Sequence, residues 1–131
     1  MTFPADFLPL LTHRLVLRRF AKADLDRFMA YRHDSEVAKF QSWSQLSVNE
    51  AELFIAQMSQ QPMGIAGEWF QIAIAQRQSN LLIGDIGLHL DEADPTTAEI
   101  GFTLTRKEQG KGYAHEAIQS LLNRLFELNS V

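Results

Sequence analysis

The feature that most constrains this chain is a six-residue loop, Gln109-Gly110-Lys111-Gly112-Tyr113-Ala114. It stands between an apolar segment with strand character, 98–104, and a helical pattern that starts near Ala114. Glycine lets a backbone approach a ligand closely, and the first N–H groups of a helix have no acceptor within the helix. A strand, a glycine loop and a helix N-terminus in this order therefore predict a binding site for an anion.

Two other anion-binding loops do not fit these residues. A Walker A loop needs serine or threonine after its lysine, and here Gly112 follows Lys111. A dinucleotide-binding loop needs glycine or alanine at the position that His115 occupies. The remaining alternative is a surface loop whose glycines serve only its turn geometry.

Composition indicates one ordinary domain, residues 1–131, in which 46% of the residues are hydrophobic. The formal net charge of −4 provides no basic field to attract nucleic acid or an anionic membrane. Without cysteine, the chain has no disulfide, thiolate nucleophile or thiolate metal ligand. Its N-terminus lacks the basic start of a signal peptide, and no apolar stretch approaches the ~18 residues of a membrane helix. We expect a cytoplasmic protein without nucleic-acid or membrane partners.

Three helices are predicted. Apolar residues at helical spacing follow Asp24 as far as Arg32, and the capping box of Ser47 and Glu50 starts a second helix that ends near Gln60. The last helix has the clearest period, in which apolar residues recur at steps of three and four. They are Ala114, Ala117, Ile118, Leu121, Leu122, Leu125 and Phe126.

Four segments have the alternation and composition of strands: 14–20, 69–75, 81–90 and 97–104. Short polar turns separate the last three, which predicts an antiparallel meander. The predicted fold class is α/β, with the element order β-α-α-β-β-β-α.

With this order, the chain resembles the GCN5-related N-acetyltransferases (GNAT). The loop reads Q-x-x-G-x-A, similar to the family's pyrophosphate-binding pattern Q/R-x-x-G-x-G/A. L-x-T-x-R-L-x-L-R-x-F at 10–20 resembles the first strand of the RimJ/RimL-like group, which includes ribosomal-protein N-terminal acetyltransferases. The resemblance covers essentially the whole chain. It implies the GNAT fold with a mixed sheet, acetyl-CoA as co-substrate, and direct acetyl transfer to a primary amine on a small molecule or a peptide.

The resemblance breaks off after the last helix, where the family continues with a β-α-β-β portion that this chain does not contain. A strand followed by a packed crossover helix normally returns to a parallel strand. We therefore expect a C-terminally truncated chain, or one whose missing sheet edge is supplied by another chain.

The resemblance also implies which residues bind the co-substrate. Backbone N–H groups of the loop would hold the pyrophosphate, and Lys111 would add a charge unless it is simply solvated. Backbone groups of the preceding strand would pair with the pantetheine arm and polarise the thioester carbonyl, unless they form a plain sheet edge. The cofactor-binding residues are then Phe102, Thr103, Leu104, Gln109, Gly110, Lys111, Gly112, Tyr113 and Ala114.

Glu99 is the expected catalytic base, because several family members place a carboxylate just before the cofactor segment. The alternative is that Glu99 faces solvent on an alternating strand. His89 and Asp85 are weaker candidates, and they share a strand face if no bulge separates them.

The remaining histidines, His13, His33 and His115, are expected at the surface or at helix ends. Their spacing does not suit a metal, so we expect none. Phe40 and Trp43 either line the acceptor pocket or pack on the core.

Two alternatives to an active N-acetyltransferase stay open. The chain could be a non-catalytic module that binds coenzyme A. It could also be an inactive fragment that assembles through its open sheet edge, for instance as a homodimer.

Overall fold

The computed structural model describes residues 3–34, 46–94 and 96–129. These residues form an α/β fold with five strands and three α-helices. The strands are β1 (Leu10–Leu11), β2 (Leu15–Arg18), β3 (Trp69–Gln76), β4 (Leu82–Leu90) and β5 (Ala98–Leu104). The helices are α1 (Leu25–Arg32), α2 (Val48–Gln60) and α3 (Tyr113–Asn129), and 3₁₀ turns lie at Lys22–Asp24 and Arg106–Glu108.

The strands form one sheet in the order β1-β2-β3-β4-β5, and every neighbouring pair is antiparallel. The predicted meander of β3, β4 and β5 is confirmed. The strand β1 was not predicted, because two residues are too short to show a period; it folds back on β2 with Leu10 opposite Leu17. The parallel pairing of a mixed sheet does not occur among the described strands.

Strand β4 pairs with β5 without interruption from Gly84 opposite Leu104 to Leu90 opposite Ala98. Alternate residues of paired strands point to one face of the sheet. One face therefore carries Asp85, Gly87 and His89 of β4 beside Thr103, Gly101 and Glu99 of β5. The condition for Asp85 and His89 to share a face is met.

Helices α1 and α2 cover this face. From α1, Tyr31 and Arg32 donate hydrogen bonds to the carboxylate of Asp85. The opposite face is apolar, and it presents the fully buried side chains of Phe70, Ile72, Ile74, Ile86 and Leu88. These side chains belong to one hydrophobic core with Ala117, Leu121 and Leu125 of α3.

The predicted apolar stripe of α3 is wrong at its end, because the side chain of Phe126 is 63% exposed. The buried residues Ala117, Leu121 and Leu125 follow one another at steps of four. Phe126 lies about 100° further round the helix from Leu125, which takes it off the line of contact.

The capping box of α2 is present as predicted. The Glu50 N–H donates to Ser47 Oγ, and the Ser47 N–H donates to Glu50 Oε1, each over 3.1 Å. The N–H and hydroxyl of Ser47 lower the pKa of the Glu50 carboxyl. Within the described ranges, no helix has the length and apolar character required to cross a membrane.

Candidate functional site

The predicted loop follows β5 and a 3₁₀ turn, and it leads directly into α3. Gly110 has φ of 77° and Gly112 has φ of 82°. This left-handed region is costly for residues that carry a Cβ atom. Both glycines are therefore required by the backbone conformation of the loop itself.

Six consecutive N–H groups, from Gly110 to His115, donate no hydrogen bond to any other described residue. The helical ladder starts only at Glu116, whose N–H donates to the Gly112 carbonyl over 3.1 Å. The six residues are exposed or half-buried, so their N–H groups can reach a ligand. We call residues 110–115 the amide cradle. It lies at the positive end of the dipole of a 17-residue helix, where anions bind favourably.

Gln109 does not extend the cradle, contrary to expectation. Its N–H donates to the Arg106 carbonyl over 3.2 Å, and its side-chain Nε2 donates to the Leu104 carbonyl over 3.0 Å. Gln109 thus fastens the loop to the end of β5. The Lys111 ammonium lies 3.4 Å from the Glu108 carboxylate, which partly balances its charge.

An ion pair that was not predicted supports the cradle from the side of β2. Arg14 Nε donates to Glu116 Oε1 over 2.7 Å, and Arg14 Nη1 donates to the Lys111 carbonyl over 2.9 Å. The guanidinium also lies over the ring of Tyr113, 4.3 Å from its centroid. In a trans peptide, C=O and N–H point in opposite directions. The bond that holds the Lys111 carbonyl therefore turns the Gly112 N–H away from Arg14.

Glu116 is ionised in this network. Burial opposes its charge, but hydrogen bonds from the Thr12 hydroxyl, the Arg14 N–H and the Arg14 guanidinium outweigh burial and lower the pKa of the Glu116 carboxyl. The sequence signal was the T-x-R motif at Thr12 and Arg14, which indicated the family but not this contact.

The edge of β5 is open in the described part of the sheet. The Thr105 N–H donates to the Ile83 carbonyl over 2.8 Å, in line with the β4–β5 register. Backbone groups of alternate residues in an antiparallel strand point to opposite sides. Thr103 therefore directs its backbone groups toward β4, whereas Phe102 and Leu104 direct theirs to the open edge.

A cavity of about 410 Å³ adjoins this edge on the face covered by α1 and α2. Phe54, Met58 and Trp69 supply apolar walls, and Gly87 and Gly101 lie between them on the sheet. A Cβ atom on Gly101 would meet no other atom within 4 Å, so the floor of the cavity beside Phe102 and Thr103 is open.

Asp85 lines this cavity but is occupied by structural hydrogen bonds. Its carboxylate accepts from the Tyr31 hydroxyl, from Arg32 Nη2 at 3.2 Å and from Gln71 Nε2 at 2.8 Å. Burial raises the pKa of the Tyr31 hydroxyl well above its ordinary value, and the Asp85 charge raises it further. The hydroxyl therefore stays protonated and donates. Because these donors occupy both carboxylate oxygens, the geometry disfavours Asp85 as a base.

Glu99 and His89 face each other across β4 and β5. Glu99 is exposed, which agrees with the alternative that it faces solvent on an alternating strand. His89 is half-buried; its Nδ1 is buried without a hydrogen-bond partner among the described residues, and its ring centroid lies 5.0 Å from that of Trp69. The structure thus brings together two candidate bases at the end of the sheet face that holds the cavity.

The other predicted residues lie elsewhere. The His33 ring bonds to the Leu46 carbonyl over 2.7 Å, and His115 lies in the first turn of α3. Phe40 and Trp43 lie outside the described residues. Among the residues that the structure covers, no three His, Cys, Asp or Glu side chains group as metal ligands do.

Comparison with known proteins agrees with this architecture. The family model described as the acetyltransferase (GNAT) domain matches residues 14–131, which contain β2 to β5, all three helices and the amide cradle. This chain belongs to the GNAT acetyltransferase family.

Individual GNAT proteins share both sequence and fold with this chain. The uncharacterized N-acetyltransferase p20 of Bacillus licheniformis is 30% identical over 115 residues, which cover 87% of this chain and 64% of p20. The chain thus spans less than two thirds of the length of that relative. A GNAT-family acetyltransferase from Bacillus anthracis superposes with a TM-score of 0.77 at 26% identity, covering 95% of this chain and 69% of the other.

A third comparison concerns a protein solved with its ligands. The microcin C7 self-immunity acetyltransferase MccE, in complex with acetyl-CoA and AMP, superposes with a TM-score of 0.66 at 19% identity. The match covers 86% of this chain and 62% of MccE. At this identity the likeness concerns the fold alone.

Proposed function

We propose that this chain binds acetyl-CoA and transfers its acetyl group to a primary amine. The observation that carries the proposal is the amide cradle. Its six N–H groups have no acceptor within the described chain, and two of its six residues are glycines at positive φ. Such a site suits a diphosphate that must be held without a metal or a strongly basic surface. Family membership and the acetyl-CoA complex of MccE support acetyl-CoA as the donor.

The arm of the donor would run along the open edge of β5. The outward-directed N–H and C=O of Phe102 are suited to pair with an amide of the arm, as a neighbouring strand would. The Leu104 carbonyl is less suited, because it already accepts from the Gln109 side chain. When bound, the thioester supplies an acyl carbon that an amine nitrogen can attack, with the thiol as the leaving group.

The acceptor must lose a proton to become nucleophilic. At pH 7 this costs about 1.4 kcal/mol for an α-amine of pKa near 8, and about 4.6 kcal/mol for a lysine-type amine of pKa near 10.4. Glu99 and His89 are the residues that could take the proton, and the cavity of about 410 Å³ beside them would admit the acceptor. Its apolar walls favour an amine attached to an apolar group.

Assignment to the RimJ/RimL-like group rests on the motif at 10–20. Two residues of this motif, Thr12 and Arg14, bind Glu116 and so support the cradle. The motif therefore concerns donor binding and does not distinguish between the two proposed acceptors. These are a peptide N-terminus and a small-molecule amine.

A module that binds coenzyme A without transfer is the second candidate. The observation that favours it is the open edge of β5, which leaves the proposed arm with a wall on one side only within the described residues. The same edge could pair with a second copy. The two functions differ in the release of thiol on addition of an amine.

Calorimetry with acetyl-CoA, together with a thiol-release assay over a panel of amines, tests the proposal. We expect binding, and thiol release that depends on the amine; binding without release would favour the module. Gly112→Val should remove binding, because a β-branched residue at φ of 82° costs about 1–3 kcal/mol and changes the loop.

Gly101→Ala is the matched control, because a Cβ atom at Gly101 meets nothing within 4 Å and lies off the cradle. This variant should bind acetyl-CoA as the wild type does. Gly110→Ala supplies a second, smaller change in the cradle if the valine variant folds poorly. Unchanged affinity in a folded Gly112→Val protein would refute the role of the cradle.

A further inference from the structure

Two glycines lie directly opposite each other on the sheet face that α1 and α2 cover. Gly87 of β4 is paired with Gly101 of β5. Neither has positive φ, so the backbone conformation does not require glycine at either position. Glycine inside a strand weakens it, and it often marks a place where a ligand or another backbone approaches closely. The pair therefore needs a reason other than backbone conformation.

At Gly87 the reason is the ring of Trp69. A Cβ atom on Gly87 would lie 3.2 Å from both Cε3 and Cζ3 of Trp69, and 2.6 Å from Oε1 of Gln71. Trp69 is paired with His89, two residues further along β4, so its indole extends along that strand toward Gly87. The ring centroids of Trp69 and His89 are 5.0 Å apart. The absence of a side chain at Gly87 thus lets the indole lie close to the sheet, next to the ring of His89.

Gly101 has no such neighbour. A Cβ atom there would meet no other described atom within 4 Å, although Gly101 and Trp69 line the same cavity of about 410 Å³. Glu99 precedes Gly101 by two residues on the same face of β5. Phe102, which directs its backbone groups to the open edge, follows Gly101. The space over Gly101 therefore lies between the ring of Trp69 and the proposed path of the donor, close to Glu99.

An aromatic ring suits this space. The floor carries no side chains, and Trp69 beside it is 48% exposed, so its indole can be contacted. Aromatic rings that meet offset-stacked or edge-to-face are stabilised beyond the burial of their area. Met58, which lines the same cavity with Phe54, adds a thioether that makes favourable contacts with aromatic rings. The space over Gly101 thus favours a planar ring over a saturated ring of the same carbon count.

We propose that, given the acetyl transfer proposed above, this space holds an aromatic ring of the acceptor and that Trp69 selects this ring. Adjacent Cα atoms are ~3.8 Å apart, so a linker of about two carbons would carry the amine from a ring over Gly101 to the edge at Phe102. The acceptors are then primary amines separated from an aromatic ring by two carbons. Arylalkylamines and peptides that begin with an aromatic residue share this chemistry.

A thiol-release assay with acetyl-CoA and two matched amines tests the proposal. 2-Phenylethylamine and 2-cyclohexylethylamine have the same linker and the same number of carbons, but only the first has a planar ring. The wild type should show a kcat/KM about fivefold higher for the phenyl amine. In Trp69→Leu this preference should fall to about twofold or less, whereas Trp69→Phe should keep most of it. A tripeptide that begins with phenylalanine, compared with 2-phenylethylamine, distinguishes the two sources.

Gly101→Val provides a second, independent change. Valine is favoured in strands, and its methyl groups would occupy the space over the floor. The kcat/KM for the phenyl amine should fall by about fivefold or more, while the affinity for acetyl-CoA measured by calorimetry should stay unchanged.

Phe126→Leu is the matched control for Trp69→Leu. It replaces another exposed aromatic ring by leucine, on α3 at the opposite face of the sheet, so the fivefold preference should persist. Thiol release without a preference for the phenyl amine overturns the inference and leaves the proposed function in place, as does an undiminished preference in Trp69→Leu. If no amine stimulates thiol release, the proposed function fails. Calorimetry with the two amines then decides the inference, which equal affinities would overturn and tighter binding of the phenyl amine, lost in Trp69→Leu, would support.

Discussion

At the scale of single residues, the cradle depends on contacts between distant parts of the chain. Arg14 and Glu116 are 102 residues apart, yet they fix the Lys111 carbonyl and the first turn of α3 in one place. The loop itself could be predicted from its glycines, because positive φ is a local requirement. Its partners could not, because the turn before β2 and the start of α3 are far apart in sequence and are brought together only by the tertiary fold. The same holds for Asp85, because the donors from α1 and β3 that disfavour it as a base come from distant parts of the chain.

Glu116→Gln should lower the free energy of unfolding by about 1.5 kcal/mol at pH 7, because hydrogen bonds to a charged group are lost. Folding lowers the pKa of this carboxyl, so its stabilisation is complete above the unfolded pKa of about 4.3 and is lost as pH falls through the folded pKa. The difference between variant and wild type, measured by urea denaturation, should therefore shrink as pH falls below about 4.

Glu127→Gln is the control on the same helix. Its carboxylate pairs with Arg124 over 3.2 Å but is 65% exposed, so the change should stay within about 0.5 kcal/mol. A Glu116→Gln protein as stable as this control would show that the ion pair does not hold the first turn of α3.

At the scale of elements, local sequence signals accounted for most of the helices and strands. Ser47 and Glu50 predicted the start of α2, and alternation predicted β3, β4 and β5. The strand β1 was missed and the burial of Phe126 was misjudged, each for a physical reason. Strand β1 has no period of its own and exists through its pairing with β2. Phe126 fits a helical stripe, but its burial depends on what lies opposite, which periodicity does not contain.

Ser47→Ala should lower the free energy of unfolding by about 1 kcal/mol, because the Glu50 N–H loses its acceptor at the N-terminus of α2. Ser59→Ala, in the last turn of the same helix, should change stability little, since Ser59 Oγ only donates to the Ala56 carbonyl. Thermal unfolding of the two variants makes the comparison. Equal losses would mean that the capping box is not specifically stabilising.

At the scale of the whole molecule, α1 and α2 pack on the sheet face that carries Asp85, α3 packs on the opposite face, and the hydrophobic core includes residues of all three helices. Element order, together with the resemblance, indicated the GNAT fold, whereas the β4–β5 register that decides which residues share a face required the structure. That register places Glu99 opposite His89 and Gly101 opposite Gly87. The register also separates two residues expected to bind the donor, because the backbone groups of Phe102 are directed to the open edge and those of Thr103 to β4.

Amide hydrogen exchange measured by NMR should show this division directly. The N–H groups of Gly101 and Thr103 should exchange slowly because they are directed to β4, whereas those of Ile100 and Phe102 should exchange quickly. Addition of acetyl-CoA should slow exchange at Phe102 and in residues 110–115. Protection that rises only elsewhere would contradict the proposed path of the donor.

The outward groups of β5 recur every second residue, at intervals of about 6.8 Å. A linear ligand can form hydrogen bonds along such a strand edge only when its own polar groups repeat at the same interval. The end of this edge next to the amide cradle is already occupied, because the Gln109 side chain donates to the Leu104 carbonyl. If the donor proposed above runs along this edge, selection among thioester donors would follow from the spacing of amides along their arm, and a donor lengthened by a single methylene would lose either its diphosphate contact or its alignment with Phe102.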